Sequence, residues 1–399
     1  MRRLFLGFAL LSALSCGPRT PRVETMAELR DRVFEVAKVQ AVYMDSLLLS
    51  FRAEPQAESG NLCPRTFQGD TLVTSDIGWW TSGFYPGVLW QIYGETADNR
   101  FLELAVKHTL PLAGLLDQVT DHDIGFQLMS SFGRMDRLCH SEPVSGEGIS
   151  PEAILSRGAE KLAARFIPEA GVIRSWNWGP WNIPVIIDNM MNLELLMAYG
   201  DTTVAQKHAL TTKENHFRDD GTCFHLVDYD DDGTVLGRQT VQGFADETAW
   251  ARGQAWALYG YAMMAERERV TGNVEMELTF RRVALKLEKW LLANLPEDGI
   301  PYWDFSQSDF KDASAAAIIA CGLLKMWRLE GAALDDPALP TAMRILETLA
   351  SPEYLAEPRT NGGFLLKHSV GNIPGGSEVD VPLTYADYYF LEALTLFPR

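Results

Sequence analysis

The sequence is poor in positive charge. Its 35 lysines and arginines stand against 53 aspartates and glutamates, and the formal net charge is −18. A protein that binds nucleic acid through its overall field is normally basic, so this deficit disfavours nucleic acid as a partner. An anionic substrate would need a local cationic pocket, because the overall field repels it.

Long apolar runs are missing beyond the extreme N-terminus. No stretch of about 18 apolar residues or more occurs there, which excludes a transporter built from membrane-spanning helices. Apolar residues nevertheless make up 47% of the chain and aromatic residues 11%. This content excludes general disorder and provides for one large core or two modest ones.

The N-terminus has the pattern of an export signal. Arg2 and Arg3 precede a mostly apolar stretch over residues 4–14 that is too short to span a bilayer. The next four residues, 13–16 (ALSC), resemble a bacterial lipobox, although an ordinary cleavage site also fits them. We expect a signal peptide with lipobox over residues 1–16, in which Cys16 is lipidated.

The remaining chain is then expected to comprise a tether over residues 17–24 and a single domain over residues 25–399. Such a protein would be exported by a bacterium, either to the periplasm or as a membrane-anchored lipoprotein. Four cysteines follow Cys16, and their spacing matches no zinc site, so neither a metal nor a cofactor is expected. Export would permit a disulfide, but Cys321 lies in an apolar run and favours a buried thiol.

Helical periodicity recurs along the whole chain and predicts an all-α fold. The predicted helices lie at roughly 26–50, 83–94, 99–119, 151–166, 185–199, 203–213, 247–270, 275–294, 312–329, 339–350 and 384–396. Strand patterns are sparse, and residues 223–228 and 235–240 predict one small hairpin around an acidic turn. The sequence has no clear repeat, so periodicity alone does not establish how the helix pairs are arranged.

Tryptophan is concentrated in segments that also contain glycine and proline. Two such segments are residues 79–87 (WWTSGFYPG) and 175–181 (SWNWGPW), and Trp250 and Trp256 flank a third polar segment. Aromatic faces stack on sugar rings while nearby polar groups bind the hydroxyls, so these segments favour a sugar-binding cleft over a purely structural core.

Two aspartates are candidate acids or bases. Asp123 follows Asp121 and His122, and Asp188 interrupts an otherwise apolar run. Burial raises the pKa of a carboxyl group, which makes it a proton donor near neutral pH. The alternatives are a turn residue at position 123 and a capping or ion-pair role at position 188.

Arg252 lies at the predicted start of a helix, on the same face as Trp256. A cation is poorly placed there with respect to the helix dipole, which suggests that it binds a carboxylate. A surface ion pair with Asp246 or Glu247 explains the residue equally well.

Seven segments in order resemble the unsaturated glucuronyl hydrolases, glycoside hydrolase family 88. They are residues 80–87 (WTSGFYPG), 122–126 (HDIGF), 184–194 (PVIIDNMMNLE), 250–256 (WARGQAW), 301–305 (PYWDF), 312–317 (DASAAA) and 376–390 (GSEVDVPLTYADYYF). The resemblance implies an (α/α)6 barrel with the small hairpin in its loops.

The resemblance also implies an activity and a set of site residues. Such an enzyme removes a terminal 4,5-unsaturated uronic acid from oligosaccharides left by polysaccharide lyases, by hydrating the C4=C5 vinyl ether. By similarity, Asp188 is the general acid and base, and Asp123 is the second catalytic carboxylate. The substrate-binding residues implied by similarity are Trp80, Phe84, His122, His225, Gln242, Trp250, Arg252, Trp256 and Tyr385.

Two positions differ from patterns found within the family. Val241 stands where a histidine often precedes the Gln-Gly pair, so the preferred sugar is open. No lysine follows Gly371 in a loop that accommodates sulfate in some relatives. Two other functions remain open from the sequence: an unsaturated rhamnogalacturonyl hydrolase on the same barrel, and a non-catalytic glycan-binding lipoprotein.

Overall fold

The computed structural model describes residues 24–52, 62–139 and 150–397. The predicted signal peptide with Cys16, and the predicted tether up to residue 23, lie outside these residues. Among the described helices, none combines the length and the apolar character that a bilayer crossing requires.

The described part of the chain contains thirteen α-helices. They are α1 (Met26–Arg52), α2 (Phe84–Thr96), α3 (Asn99–Thr109), α4 (Ile124–Ser130), α5 (Phe132–Leu138), α6 (Pro151–Ala163), α7 (Asn189–Tyr199), α8 (Thr202–Asn215), α9 (Ala251–Thr271), α10 (Val274–Asn294), α11 (Ala313–Leu329), α12 (Ala338–Leu349) and α13 (Thr384–Leu396). Short 3-10 segments occupy Leu110–Asp117 and Asn361–Gly363.

Alternate helices close into a ring. Helices α2, α4, α7, α9, α11 and α13 each contact the next, and α13 contacts α2. The inner helices are apolar on nearly every face, as in α11, where almost every side chain is buried. The outer helices α3 and α12 instead bury a single stripe. This arrangement is the (α/α)6 barrel that the family resemblance implies, and the all-α prediction is confirmed.

Close packing between inner helices depends on small residues. A Cβ atom at Gly260 of α9 would lie 2.6 Å from the Cβ atom of Met190 in α7, closer than real Cβ contacts allow. The two helices therefore approach each other through this glycine, which leaves no room for a larger side chain.

We expect Gly260→Ala to lower the free energy of unfolding by about 1–3 kcal/mol, because overpacking forces the two helices apart. The matched control is Gly94→Ala in α2, where a Cβ atom would make ordinary contact with the Leu138 side chain at 3.4 Å. Thermal unfolding followed by circular dichroism measures both variants. Equal melting temperatures for the two variants would contradict this account of the contact.

Strands occur only in short antiparallel sheets in the described residues. They are β1 (Cys63–Gln68), β2 (Thr71–Ser75), β3 (Phe166–Ile167), β4 (Val172–Ile173), β5 (Ile183–Ile186), β6 (Leu226–Tyr229), β7 (Val235–Gln239), β8 (Ser369–Asn372) and β9 (Ser377–Val381). The predicted hairpin is present as β6 and β7, and β5 adds a third strand to it. The hairpins β1–β2 and β8–β9 were not predicted.

Several helix boundaries differ from the prediction. Residues 185–186 belong to β5, so the predicted helix over 185–199 begins only at Asn189. The helix predicted over 99–119 ends at Thr109 and continues as a 3-10 segment, since Pro111 lacks the N–H that the α-helix needs. Helices α4 and α5 were missed, because each is only seven residues long.

The inner helices begin at one end of the barrel. Ring contacts join residues at the starts of different helices, as in Phe84 with Phe126, Phe126 with Trp256, and Trp256 with Tyr385. The residues that immediately precede these helices therefore gather at the same end, and they include both candidate carboxylates.

Candidate active site

The three-stranded sheet brings distant parts of the chain to one edge. Leu226 of β6 pairs with Ile186 of β5 and with Gln239 of β7. Just beyond this register, the Ile187 N–H donates to the His225 carbonyl at 2.9 Å. The residues that follow or precede these strand ends are therefore neighbours. The predicted site residues placed here are Asp188, His225 and Gln242.

Asp188 immediately precedes α7 but does not cap it, because its side chain makes no capping hydrogen bond. The residue is 8% exposed, and within the described residues its Oδ2 atom has no hydrogen-bond partner. Burial raises the pKa of Asp188 to about 7, although the Arg252 guanidinium opposes the increase. The side chain is thus a carboxyl group that is half protonated near neutral pH.

His225 directs a hydrogen towards this carboxyl group. Its Nδ1 atom accepts the backbone N–H groups of Val241 at 3.0 Å and Gln242 at 3.3 Å. Burial lowers the pKa of His225 to about 3, so the ring is neutral and its hydrogen resides on Nε2. That atom lies 3.7 Å from Asp188 Oδ2, which leaves a gap slightly longer than a hydrogen bond.

Asp123 lies immediately before α4, and its backbone N–H donates to Asp121 Oδ1 at 3.0 Å. Its Oδ1 atom lies 3.4 Å from His122 Nε2. Burial raises the pKa of Asp123 well above its usual value, and the negative charges of Asp121 and Asp188 raise it further. Two carboxyl groups of raised pKa thus share the open end of the barrel.

Arg252 is 1% exposed, and its guanidinium is bonded to strand β8. Its Nη1 atom donates to the Val370 carbonyl, and Nη2 donates to the Gly371 carbonyl at 2.7 Å and to Gln242 Oε1 at 3.3 Å. Its guanidinium lies over the Trp250 ring at 4.6 Å. The alternative of a surface ion pair with Asp246 or Glu247 is therefore wrong.

Aromatic rings form a wall beside the carboxyl groups. The Trp80 ring centroid lies 4.8 Å from that of Tyr385 and 5.6 Å from that of Phe126, and Phe126 lies 5.1 Å from Trp256. Phe84 is fully buried behind Trp80, so it supports the wall without facing the open end. Trp250 contacts His225 at 4.5 Å.

Unpaired polar atoms are concentrated around this wall. Buried polar groups are normally hydrogen-bonded, so a cluster of unpaired ones indicates a place for water or a ligand. Within the described ranges, the site atoms that are buried without a partner are His122 Nε2, Asp188 Oδ2, His225 Nε2, Arg252 Nε, Trp256 Nε1 and Tyr385 Oη. Donors, an acid and aromatic faces together suit a polyhydroxylated, anionic ring.

Comparison with known proteins agrees with this geometry. An unsaturated glucuronyl hydrolase of Formosa agariphila is 38% identical over 340 residues, which cover 79% of each chain. The chain belongs to the unsaturated glucuronyl hydrolase family. An unsaturated chondroitin disaccharide hydrolase of Streptococcus pneumoniae is 30% identical over 80% of this chain and 81% of its own. No family model matches the sequence.

Solved structures of unsaturated glucuronyl hydrolases share the fold. A heparin-specific one is 38% identical with a TM-score of 0.80, and the match covers 92% of this chain and 96% of the other. The Bacillus sp. GL1 enzyme is 28% identical with a TM-score of 0.78, and the match again covers 92% of this chain and 96% of the other. A Streptococcus agalactiae variant complexed with dGlcA-GalNAc6S is 26% identical with a TM-score of 0.74, covering 95% and 93%.

As a member of the unsaturated glucuronyl hydrolases, the protein is a glycoside hydrolase, and the non-catalytic alternative is set aside. The predicted catalytic and substrate-binding residues lie at the same end of the barrel, whereas Cys16 lies outside the described residues. Sequence reasoning missed Phe126, which completes the aromatic wall, and Asp312, whose Oδ2 atom lies 3.8 Å from Arg252 Nη1. Asp312 also caps α11 by accepting the Ser314 N–H. In the sequence, an aspartate before an alanine-rich segment indicates a helix cap and not a site residue.

Proposed function

We propose that the enzyme removes the terminal 4,5-unsaturated uronic acid from oligosaccharides produced by polysaccharide lyases. A proton is added to C4 of the vinyl ether, and the oxygen of a water molecule bonds to C5. The resulting hemiketal opens to a ketone, and the oxygen released from C5 becomes a hydroxyl group on C1. The C1 hemiacetal then collapses to an aldehyde and releases the remaining sugar as an alcohol.

The observation that carries this proposal is the state of Asp188. Protonation of carbon needs an acid that still carries its proton near neutral pH, is shielded from water and is aimed at its target. The carboxyl group of Asp188 is buried and unpaired at Oδ2 within the described residues, and burial raises its pKa to about 7. We assign Asp188 as the proton donor to C4, and its carboxylate then accepts a proton from the attacking water.

Asp123 is assigned as the second catalytic carboxylate, in contact with ring hydroxyl groups. Its neighbour His122 keeps an unpaired Nε2 atom within the described chain, which suits a hydroxyl partner. The uronate carboxylate is assigned to Arg252, because Arg252 Nε is buried without an acceptor among the described residues. The other proposed substrate-binding residues are Trp80, His225, Gln242, Trp250, Trp256 and Tyr385. Phe84, which the sequence resemblance also implied, is proposed to support Trp80 rather than to contact the substrate.

The substrate class proposed is an unsaturated disaccharide derived from a glycosaminoglycan. The relatives include an enzyme specific for heparin and others named for chondroitin disaccharides. The assay follows the loss of ultraviolet absorbance of the conjugated uronate, with disaccharides from heparin, chondroitin and hyaluronan, and with unsaturated rhamnogalacturonan fragments as the comparison. Unchanged absorbance with all of them would overturn the proposal.

The rate should depend on pH through Asp188. Because the acid must be protonated to act, kcat/KM should fall as the pH rises through about 7, the pKa to which burial raises this carboxyl group. Well above that pH, the decrease should approach tenfold per pH unit. The measurement is kcat/KM from pH 5 to 9, with circular dichroism to confirm that the enzyme stays folded. A constant value up to pH 9 would contradict the assignment.

We also propose that the protein is exported and carries a lipid at Cys16. The support is the sequence pattern alone, an arginine pair followed by a short apolar stretch and residues 13–16. Incorporation of labelled fatty acid into the wild type, and its absence from Cys16→Ser, would support this proposal. Secretion of an unlabelled wild-type protein would favour the ordinary cleavage site instead.

A further inference from the structure

An exposed indole stands on the loop between β4 and β5. Trp178 is 55% exposed, whereas Trp256 of the aromatic wall is fully buried. Its ring stacks on that of Trp176 with centroids 5.7 Å apart and planes 20° apart. Trp181 contacts Trp176 edge-on, also at 5.7 Å. Three indoles thus form one cluster, and Trp178 is the most exposed of them.

Hydrogen bonds hold this loop in place. The Ser175 carbonyl accepts the His122 N–H at 3.0 Å and the Arg165 Nη2–H at 3.2 Å. Trp181 Nε1 donates to Gln239 Oε1 at 3.0 Å. The loop that carries the exposed indole is therefore already ordered, which reduces the conformational entropy that the protein loses when a ligand binds.

Glycine at position 179 completes the support. Gly179 has a φ of +87°, and a Cβ atom there would lie 2.6 Å from the Trp181 ring. The chain therefore turns directly over Trp181 and leaves Trp178 pointing away from the core. Leaving an indole in water forgoes the free energy of burying it, which is typical of binding surfaces rather than of folding cores.

The loop stands beside both candidate carboxyl groups. The Ser175 carbonyl of the loop accepts the N–H of His122, which adjoins Asp123. The Ser175 Oγ atom accepts the Ile186 N–H at 3.0 Å, two residues before Asp188. Because the uronate carboxylate is assigned to Arg252 within the same site, the sugars that follow it would extend past this loop.

We propose that Trp178 is a stacking platform for a sugar beyond the first two of the substrate, so that the enzyme binds longer unsaturated oligosaccharides better than disaccharides. This inference rests on the proposed function. The chemistry is contact between an indole face and the C–H face of a pyranose ring. Such a contact recognises shape rather than sulfation, and it acts on binding without touching the reacting double bond.

The test compares an unsaturated disaccharide with the tetrasaccharide of the same polymer. Trp178→Ala should raise KM for the tetrasaccharide about tenfold and leave the disaccharide unchanged, while Trp178→Phe keeps most of the preference. Leu236→Ala is the control, because Leu236 is 54% exposed on the neighbouring strand β7. Equal effects of Trp178→Ala on both substrates, or no effect on either, would overturn the proposal.

Calorimetric titration separates this inference from the proposed function. The tetrasaccharide is titrated into Asp188→Asn and into the double variant that also carries Trp178→Ala, so that no turnover is needed. About tenfold weaker binding by the double variant is the expected result, and equal binding would contradict the platform. If the wild type hydrolyses neither substrate, the proposed function fails while this comparison still decides the role of Trp178.

Discussion

Asp188→Asn is expected to lower kcat by about 10²- to 10⁴-fold, the range typical of a general acid. The amide is nearly the same size as the carboxyl group, so the pocket keeps its shape while the transferable proton is lost. Steady-state rates with an unsaturated disaccharide, followed by ultraviolet absorbance, measure the effect. A variant that retains the wild-type rate would remove Asp188 from the mechanism.

The matched control is Asp201→Asn. Asp201 also immediately precedes a helix, but its Oδ1 atom caps α8 by accepting the N–H groups of Thr203 and Val204. Asparagine is an equally good capping residue, so this variant should keep both its rate and its stability.

Stability provides a second readout for Asp188→Asn. A buried acid whose pKa is raised on folding disfavours the folded state once the pH exceeds its unfolded pKa, and the penalty grows up to about pH 7. Removal of the ionisable group should therefore leave the melting temperature at pH 8 unchanged or higher. A large loss of stability would instead indicate a structural role.

Arg252→Met is expected to lower kcat/KM by about 10²-fold or more, mainly through KM, because truncation leaves a buried anion without its partner. The methionine retains much of the apolar bulk that packs against Trp250. The same measurement with the methyl ester of the unsaturated uronate tests the cause, since the ester carries no charge. We expect the wild type and the variant to differ much less on the ester.

An equal decrease in kcat/KM on the acid and on the ester would mean that Arg252 acts only by holding the β8–β9 hairpin. Arg252 does hold this hairpin through its bonds to the Val370 and Gly371 carbonyls, so the variant needs a structural control. Arg267→Met serves this purpose, because Arg267 pairs with Glu194 away from the candidate site. It should change stability without changing the ratio of acid to ester turnover.

The fold was largely predictable because most helices carry their own signals. The helices predicted over 185–199 and 312–329 end at Tyr199 and Leu329, as the sequence predicts. Strand β5 was not predicted, since an apolar run of four residues fits either a strand or the start of a helix. Its pairing with β6, about forty residues away, decides between the two.

A site residue was predictable where its charge does not suit the neighbouring residues in the sequence. Asp188 stands out because an acid interrupts an apolar run, and Arg252 because a cation begins a helix. Asp312 shows no such conflict, since an aspartate before an alanine-rich helix is a normal cap. The two residues are sixty positions apart, and Asp312 approaches Arg252 because α11 packs against α9, which the helical periodicity does not reveal.

All the inner helices begin at the same end of the barrel, and this has an electrostatic consequence. Each α-helix carries roughly half a unit of positive charge at its first turn, and here these fractional charges converge around the catalytic mouth. An acidic protein with a formal charge of −18 can thereby draw in a negatively charged glycan. Because peptide dipoles do not titrate, this contribution to the attraction is the same in acid and in alkali, whereas the charges of Asp123 and Asp188 change with pH.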